Sequence, residues 1–252
     1  MAVRGAWRLV LLAGLVAACA PASPTASVVP ASNAAADDDP CPGIDLRLPS
    51  GARLDLSGTW RGRGFGEYFV AQHRSCLTWM GRDPAFDDWP AGAGFTNVFV
   101  GRIRADFTVI GTYGDVPVFP GAANNYAQLT WRIQFSEVDG ALVPALILLD
   151  SQPVTGYGDE AMVPEDALSP KSEFIGTYGF DTPSCPWLEV DGRRYELLAG
   201  YYVHSTGQID LGPGVTRRPG DPLRAVAQVA PGMARTECQD SAMLVWELGP
   251  AQ

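Results

Sequence analysis

Residues 128–136 have the sequence Gln-Leu-Thr-Trp-Arg-Ile-Gln-Phe-Ser, and this stretch decides the expected fold class. Leu129, Trp131, Ile133 and Phe135 alternate with polar side chains, so that every second residue is apolar. A period of two places the apolar side chains on one face of an extended strand. The stretch therefore predicts a β-strand with one buried face and one face toward solvent.

The same alternation of apolar and polar residues recurs along the chain. The 28 glycines and 21 prolines favour turns between these stretches. The further strand candidates are 54–60, 67–72, 76–81, 96–104, 107–113 and 141–149, then 188–190, 194–198, 223–229 and 243–248. Pro144 marks the strand at 141–149 as an edge or bulged strand, because proline cannot donate a ladder hydrogen bond. We therefore predict an all-β protein, with an antiparallel barrel or sandwich domain followed by a second small β-barrel.

A break in the strand pattern divides the chain. Residues 151–182 include a stretch rich in glycine and proline, which we interpret as a linker or partial strands. We expect a first domain over 41–150 and a second over 183–252. Asp191-Gly192 between two strand candidates of the second domain predicts a hairpin.

The N-terminus has the features of an export signal. Arg4 and Arg8 precede an apolar run, Leu9 to Ala17, which is too short to span a bilayer. Val16-Ala17-Ala18-Cys19 resembles the lipobox of bacterial lipoproteins. The resemblance implies a signal peptide over 1–18 that is removed, and a lipid on Cys19 that anchors the protein to a membrane. The alternative is an ordinary secretory signal with a chance cysteine at its end.

Residues 19–40 predict a disordered tether between the lipid and the first domain. They are small, contain several prolines and lack apolar periodicity, so they cannot bury enough surface to offset the entropy of ordering. The expected location is outside the cytoplasm, on the cell membrane or envelope. The sequence does not say which membrane carries the anchor.

Four cysteines follow Cys19, namely Cys41, Cys76, Cys185 and Cys238. In an exported protein an even number indicates disulfides, and four cysteines allow three pairings. We favour Cys41–Cys76 and Cys185–Cys238, because each bridge then closes within one half of the chain. There is no C-x-x-C pair, and the two histidines lie far from any ligand spacing, so we predict no metal and no cofactor.

The formal charge of −10 argues against polyanionic partners. Nucleic acids and anionic lipid headgroups require clusters of Lys and Arg, which the chain lacks. We predict that the protein does not bind nucleic acid.

Gly58-Thr59-Trp60 and Gly111-Thr112-Tyr113 resemble the avidin and lipocalin type of small β-barrel. Avidins place polar biotin contacts two and six positions after that tryptophan, where this chain has Gly62 and Gly66. The resemblance therefore implies the barrel but not biotin binding. The region is also similar to uncharacterised secreted bacterial proteins, through Tyr68 with Gln72, Trp79 with Gly81, Phe95 with Asn97-Val98, and Asp115 with Pro117.

Binding is the function that these residues favour. Aromatic and polar side chains concentrate around the 81–94 loop, and loops on rigid β scaffolds commonly carry function. The candidate ligand-binding residues are Tyr68, Gln72, Trp79, Trp89, Asn97 and Asp115. We predict a non-catalytic module that binds a small molecule or glycan; a tryptophan in a barrel can equally belong to the core.

Two other functions stay open. One is a structural or protein-docking role at the cell envelope, which an exposed apolar patch would favour. The other is a carboxylate-dependent hydrolase, for which Glu67, Asp115 and the group Asp83, Asp87 and Asp88 are candidates. The sequence has no Gly-x-Ser-x-Gly motif, and no nucleophile, base and orienting group can be assembled, so we do not predict an enzyme.

Overall fold

The computed structural model describes residues 41–48, 50–83, 96–116, 125–152, 161–182, 185–198, 203, 205–212, 214–234, 238 and 241–251. They belong to one compact unit, Asp39–Gln252. The predicted signal peptide, the tether and Cys19 lie outside the described residues, so the lipid anchor stays a prediction. No helix in the described ranges has the length and apolar character needed to cross a bilayer.

Eight of the described strands close into an antiparallel barrel in which neighbours in sequence are neighbours in space. They are β1 (Gly58–Gly62), β2 (Glu67–His73), β3 (Cys76–Arg82), β4 (Thr96–Ile103), β5 (Thr108–Asp115), β6 (Tyr126–Val138), β7 (Ala141–Gln152) and β8 (Ala161–Pro164). Strand β8 pairs with both β7 and β1 and closes the ring. The predicted all-β fold is confirmed. This meander is also the architecture of lipocalins and streptavidin, while membership of either family stays a prediction.

The alternation of the sequence builds the core of this first barrel. In β4, Asn97, Phe99 and Ile103 face inward and are buried, whereas Val98 and Val100 face outward and are exposed. The interior is filled mainly by large apolar side chains, among them Trp60, Tyr68, Trp79, Trp131 and Met162. Tyr68 and Trp79, two of the predicted binding residues, therefore belong to the core, as close packing of a small barrel requires.

Residues 41–48 and 50–57 plug one end of the first barrel. Leu46, Leu54 and Leu56 are buried and belong to the same apolar cluster as the barrel interior. The sequence predicts a strand over 54–60, but β1 begins only at Gly58. Residues 54–57 cross the end of the barrel instead of joining the sheet. The backbone N–H of Leu54 donates to Leu46 within the plug, and that of Leu56 donates to the side chain of Gln72.

The second barrel has a different connectivity. Five of the described strands form it, in the order β10 (Pro186–Val190), β11 (Arg193–Leu198), β15 (Ala242–Pro250), β14 (Pro222–Ala230) and β9 (Ser172–Phe180). Strands β11 and β15 are parallel and the other pairs are antiparallel. A closed barrel of five strands is also the architecture of OB-folds. A two-stranded ribbon, β12 (Ile209–Asp210) with β13 (Thr216–Arg217), lies between β11 and β14 in the chain.

The stretch 151–182 contributes to both barrels. Strand β8 closes the first barrel, and β9 belongs to the second. Between them lies a single turn of 3-10 helix, Glu165–Ala167. The connection between the barrels is therefore the short segment from Glu165 to Lys171.

The two barrels share a continuous apolar cluster. It contains Phe65, Ala145 and Val163 of the first barrel together with Leu198 and Leu244 of the second. The rings of Phe65 and Trp246 meet edge to face, with 5.2 Å between centroids. Arg63 also forms an ion pair with Glu196, whose side chain is fully buried. The contact between the two barrels, here called the joint, is thus a packed apolar core that contains a buried ion pair.

The disulfide pairing confirms the prediction. Cys41 bonds to Cys76 and ties the N-terminal plug to the turn between β2 and β3. Cys185 bonds to Cys238 and connects the segments that precede β10 and β15. Each bridge closes within its own barrel.

Candidate functional site

The two ends of the first barrel differ in how they are closed. At one end lie the plug and the turn between β2 and β3. At the other end, here called the mouth, β1, β3 and β5 finish at Gly62, Arg82 and Asp115. The three longest connections, between Arg82 and Thr96, Asp115 and Tyr126, and Gln152 and Ala161, all leave from the mouth. Most of their residues lie outside the described ranges.

Four predicted binding residues converge on the inner face just below the mouth. Asn97 lies opposite Gly81 on one side and opposite Asp115 on the other. Tyr68 is the partner of Gly81 on β2, and Trp79 is two residues earlier on β3. Because inward residues alternate along each strand, these side chains share the barrel interior. We call Tyr68, Trp79, Asn97, Tyr113 and Asp115 the binding wall.

Gly81 shapes the centre of the binding wall. A Cβ atom at this position would lie 2.4 Å from the Tyr68 ring and 2.6 Å from the Asn97 Oδ1 atom. The missing side chain thus lets the phenol ring and the amide lie close above the backbone of β3. Tyr68 and Asn97 are buried, at 1% and 3% exposure.

Aromatic rings form the floor beneath the binding wall. The Trp79 ring is stacked on Phe99, with centroids 3.7 Å apart and planes within 9° of parallel. Its edge contacts Trp131, with centroids 5.7 Å apart, and Tyr68, with centroids 6.2 Å apart. These ring contacts fix the orientation of the Trp79 indole inside the core.

Two polar atoms of the binding wall are buried without a partner among the described residues. They are the Oδ1 atom of Asn97 and the Nε1 atom of Trp79. Leaving a buried donor or acceptor unsatisfied costs about 1–3 kcal/mol each, so native proteins keep few of them. One acceptor and one donor thus lack a partner, diagonally across the β3–β4 pair on the inner face of the barrel.

Asp115 supplies the charge of the binding wall. It is half-buried at the end of β5, and the Tyr113 hydroxyl lies 3.5 Å from its Oδ2 atom. A carboxylate accepts hydrogen bonds from hydroxyl, amide and ammonium groups. The binding wall thus offers two kinds of acceptor and one N–H donor beside aromatic surfaces.

The other two predicted binding residues are not in this group. Gln72 lies at the plugged end, where it accepts from Leu56 N at 2.9 Å and donates to the carbonyls of Leu54 and Arg74. It holds the plug and has a structural role. Trp89 lies outside the described residues.

The carboxylates considered for hydrolysis do not share one face. Glu67 points outward from β2, where Arg82 lies 2.6 Å and Arg61 3.4 Å from its carboxylate oxygens. Asp115 points into the barrel. Asp83 is half-buried just after β3, and Asp87 and Asp88 lie outside the described residues. Glu67 is therefore part of an outer ion-pair network, separated from Asp115 by the barrel wall.

The sequence did not point to Tyr113 as a binding residue or to a role for Gly81 in shaping the site. Tyr113 could have been found from its spacing, because residues two apart on a strand share a face and Asp115 was already a candidate. The requirement for glycine at position 81 depends on the ring of Tyr68 from the neighbouring strand, and no local pattern shows it. Neither a family model nor a curated protein nor a solved structure matches the chain.

Proposed function

We propose that the first barrel binds a small molecule through the binding wall. The main support is a pair of buried atoms without a hydrogen-bond partner among the described residues. They are Asn97 Oδ1 and Trp79 Nε1, whose residues lie on the inner face below the mouth. A purely structural core would lower its free energy by replacing such groups with apolar ones. Their presence on the same inner face as Asp115 supports a ligand that completes their hydrogen bonds.

The chemistry of the binding wall favours a hydroxylated or amine-bearing ligand. Asn97 Oδ1 and the Asp115 carboxylate accept hydrogen bonds, and the Trp79 indole donates one. The rings of Tyr68 and Trp79 provide apolar surface of the kind that packs against sugar or aromatic faces. A neutral sugar or a small amine fits this set better than an anion, because Asp115 would repel negative charge.

A direct binding experiment tests the proposal. Native protein is denatured and any released small molecule is identified by mass spectrometry, and neutral mono- and disaccharides and alkylamines are titrated while tryptophan fluorescence is recorded. Wild type should bind at least one of these compounds, and Asn97→Leu should weaken that binding about tenfold, the loss of one good hydrogen bond. Phe69→Leu, on the outer face, is the control and should bind as wild type does.

The proposal fails if wild type carries and binds none of these compounds. It fails equally if Asn97→Leu binds them with unchanged affinity. The predicted membrane anchor on Cys19 would place such a binding module outside the cytoplasm. It would also attach the chain at the plugged end, through Cys41, and leave the mouth at the opposite end.

A protein-docking role is the second candidate function, and an exposed row on the outer face supports it. Phe69, Met80 and Val98 lie side by side on β2, β3 and β4, with exposures of 38%, 44% and 44%. Tyr126 continues the row beyond Gly114 and is 72% exposed. Contiguous exposed apolar surface commonly marks an interaction site.

A photo-activated cross-linker at position 98 tests the docking role in cells. Docking predicts one discrete cross-linked product from position 98 and none from position 102, which lies on the same outer face of β4. Equal labelling from both positions, or none from either, would contradict it.

A further inference from the structure

The wall of the first barrel is incomplete next to β8. This strand is only four residues long, whereas β6 and β7 have 13 and 12 residues. It pairs with β1 through Trp60, Arg61 and Gly62, and with β7 through Leu146 and Ile147. After Pro164 the chain leaves the sheet and enters the 3-10 turn. Beyond Pro164 no described strand lies between β1 and β7. We call this opening in the sheet the wall gap.

The wall gap is a groove with backbone on two sides. Its volume is about 690 Å³, and it is lined by residues 55–60, 142–144 and 164–167. This volume lies within the range of about 300–1,000 Å³ that is typical of ligand sites. The groove is at the plugged end of the barrel, away from the binding wall.

Two free strand edges face this groove. Among the described strands, Gly58 and Thr59 of β1 pair only with β2, and residues 141–145 of β7 pair only with β6. An unpaired edge presents N–H and C=O groups that can pair with another strand. Pro144 has no N–H and therefore limits pairing along β7 to a short stretch. An extended segment in the gap would continue β8 and run antiparallel to both neighbours.

The side chains that line the wall gap carry negative charge. Asp55, Glu165 and Asp166 are among the lining residues, and no Lys or Arg is. Arg61 pairs with Glu165 at 2.5 Å, and Arg53, which does not line the groove, acts electrostatically on Asp55. The backbone N–H of Ser57 donates to Asp55 at 2.9 Å and helps hold the pKa of that carboxyl below its usual value. The groove is therefore anionic at neutral pH.

We propose that the wall gap binds an extended, basic peptide segment of a partner protein by strand addition. Backbone hydrogen bonds to β1 and β7 would supply affinity, as in other cases of β-augmentation. Lys or Arg side chains of the segment would face Asp55 and Asp166, and opposite charges favour the correct partner and register. The proposal does not depend on the binding wall.

Peptide binding to the purified full-length protein tests the proposed strand addition at the wall gap. The probe is a fluorescein-labelled peptide of eight residues in which Lys alternates with Val and Thr, compared with the same peptide carrying Glu in place of Lys. The Lys peptide should bind and the Glu peptide should not. Asp166→Lys should weaken the Lys peptide about tenfold through charge reversal at the groove, whereas Asp150→Lys, an exposed acid elsewhere, should have little effect.

Amide hydrogen exchange distinguishes strand addition from charge attraction alone. Binding of the Lys peptide should slow exchange at Thr59 and Leu142, whose N–H groups point toward the gap because successive N–H groups alternate between the two edges of a strand. Asn97→Leu should bind this peptide as wild type does. The proposal is overturned if neither peptide binds, if the Glu peptide binds equally well, or if these amides exchange at the same rate in the complex.

Discussion

Trp79 is stacked on Phe99 inside the first barrel, with 3.7 Å between ring centroids. The stack joins β3 to β4 through two residues that lie opposite each other in the ladder. Phe99 also covers Gly101 and Gly111, where an added Cβ would lie 2.5 Å and 2.4 Å from its ring. The aromatic floor and the binding wall are thus one packed assembly, and changes to either should be measurable in stability as well as in binding.

Gly81→Ala should destabilise the first barrel. Its Cβ would lie 2.4 Å from the Tyr68 ring, so the phenol or the strand must shift. Overpacking of this kind costs about 1–3 kcal/mol of unfolding free energy. Gly114→Ala is the matched control, because the nearest atom there lies 4.0 Å away. Urea denaturation measures both, and equal stability of the two variants would contradict the packing at Gly81.

Asn97→Leu should raise the unfolding free energy of the ligand-free protein by about 1 kcal/mol, because it removes a buried, unsatisfied acceptor. Gln72→Leu should lower it by about 1–3 kcal/mol, because Gln72 makes three hydrogen bonds to the plug and the following turn. Chemical denaturation compares the two. A destabilised Asn97→Leu would show that Asn97 supports the fold and not a ligand.

Glu196→Leu should weaken the joint between the barrels. Glu196 is fully buried and pairs with Arg63, which is 12% exposed. Breaking such a pair leaves a buried charge and costs about 3–5 kcal/mol. The double variant Arg63→Leu with Glu196→Leu should recover most of that loss, because the uncompensated charge is gone. Additive effects in a double-mutant cycle would argue against a direct pairing.

Loss of the Cys41–Cys76 bridge should release the plug. The bridge spans 35 residues, and removing a loop constraint of this length costs about 4 kcal/mol on the chain-entropy model. In the Cys41→Ser and Cys76→Ser double variant, hydrogen exchange should accelerate at Leu54 and Leu56, while amides of the second barrel keep their protection. The corresponding variant of Cys185 and Cys238 is the control and should show the reverse pattern.

Stability should fall in alkali because of Tyr178. Burial raises the pKa of its phenol to about 12, and the hydroxyl donates to the Gly207 carbonyl at 2.8 Å. The folded state therefore holds this proton more tightly than the unfolded chain, whose tyrosine pKa is about 10. The stabilisation is complete below pH 10 and is lost as the pH rises toward 12. Tyr178→Phe should remove this part of the pH dependence, measured by urea unfolding between pH 9 and 11.5.

The periodicity of the sequence was sufficient for the fold class and most strands. Residues 128–136 lie within β6. β7 was predicted as an edge or bulged strand: it pairs with both β6 and β8, its residues 141–145 pair only with β6, and its register against β6 shifts near Leu149. The strand predicted over 54–60 was wrong in its first half. Leu54 and Leu56 alternate like strand residues, yet they bury their side chains by crossing the barrel end, and a local pattern cannot distinguish these two ways of reaching the core.

The candidate site was predictable in part. Tyr68 and Trp79 were singled out from residue type and position and Asn97 and Asp115 through the resemblance to secreted bacterial proteins, and the structure brings all four to one inner face. Gln72 has the same polar character but lies at the opposite end. Which end a strand residue occupies depends on chain direction and on where the plug sits, and neither appears in a residue's immediate neighbours.

The sequence by itself determined what depends on local chemistry, namely the extended strands, because alternation sets which face is buried. It favoured one of the three disulfide pairings, and the tertiary structure decided among them. Only the tertiary structure decided what depends on distant partners. The closure of β8 onto β1, the wall gap beside it, and the shared core of Phe65 and Leu244 arise from residues far apart in the chain. Such contacts form when whole faces pack together, and that packing is a property of the assembled barrels.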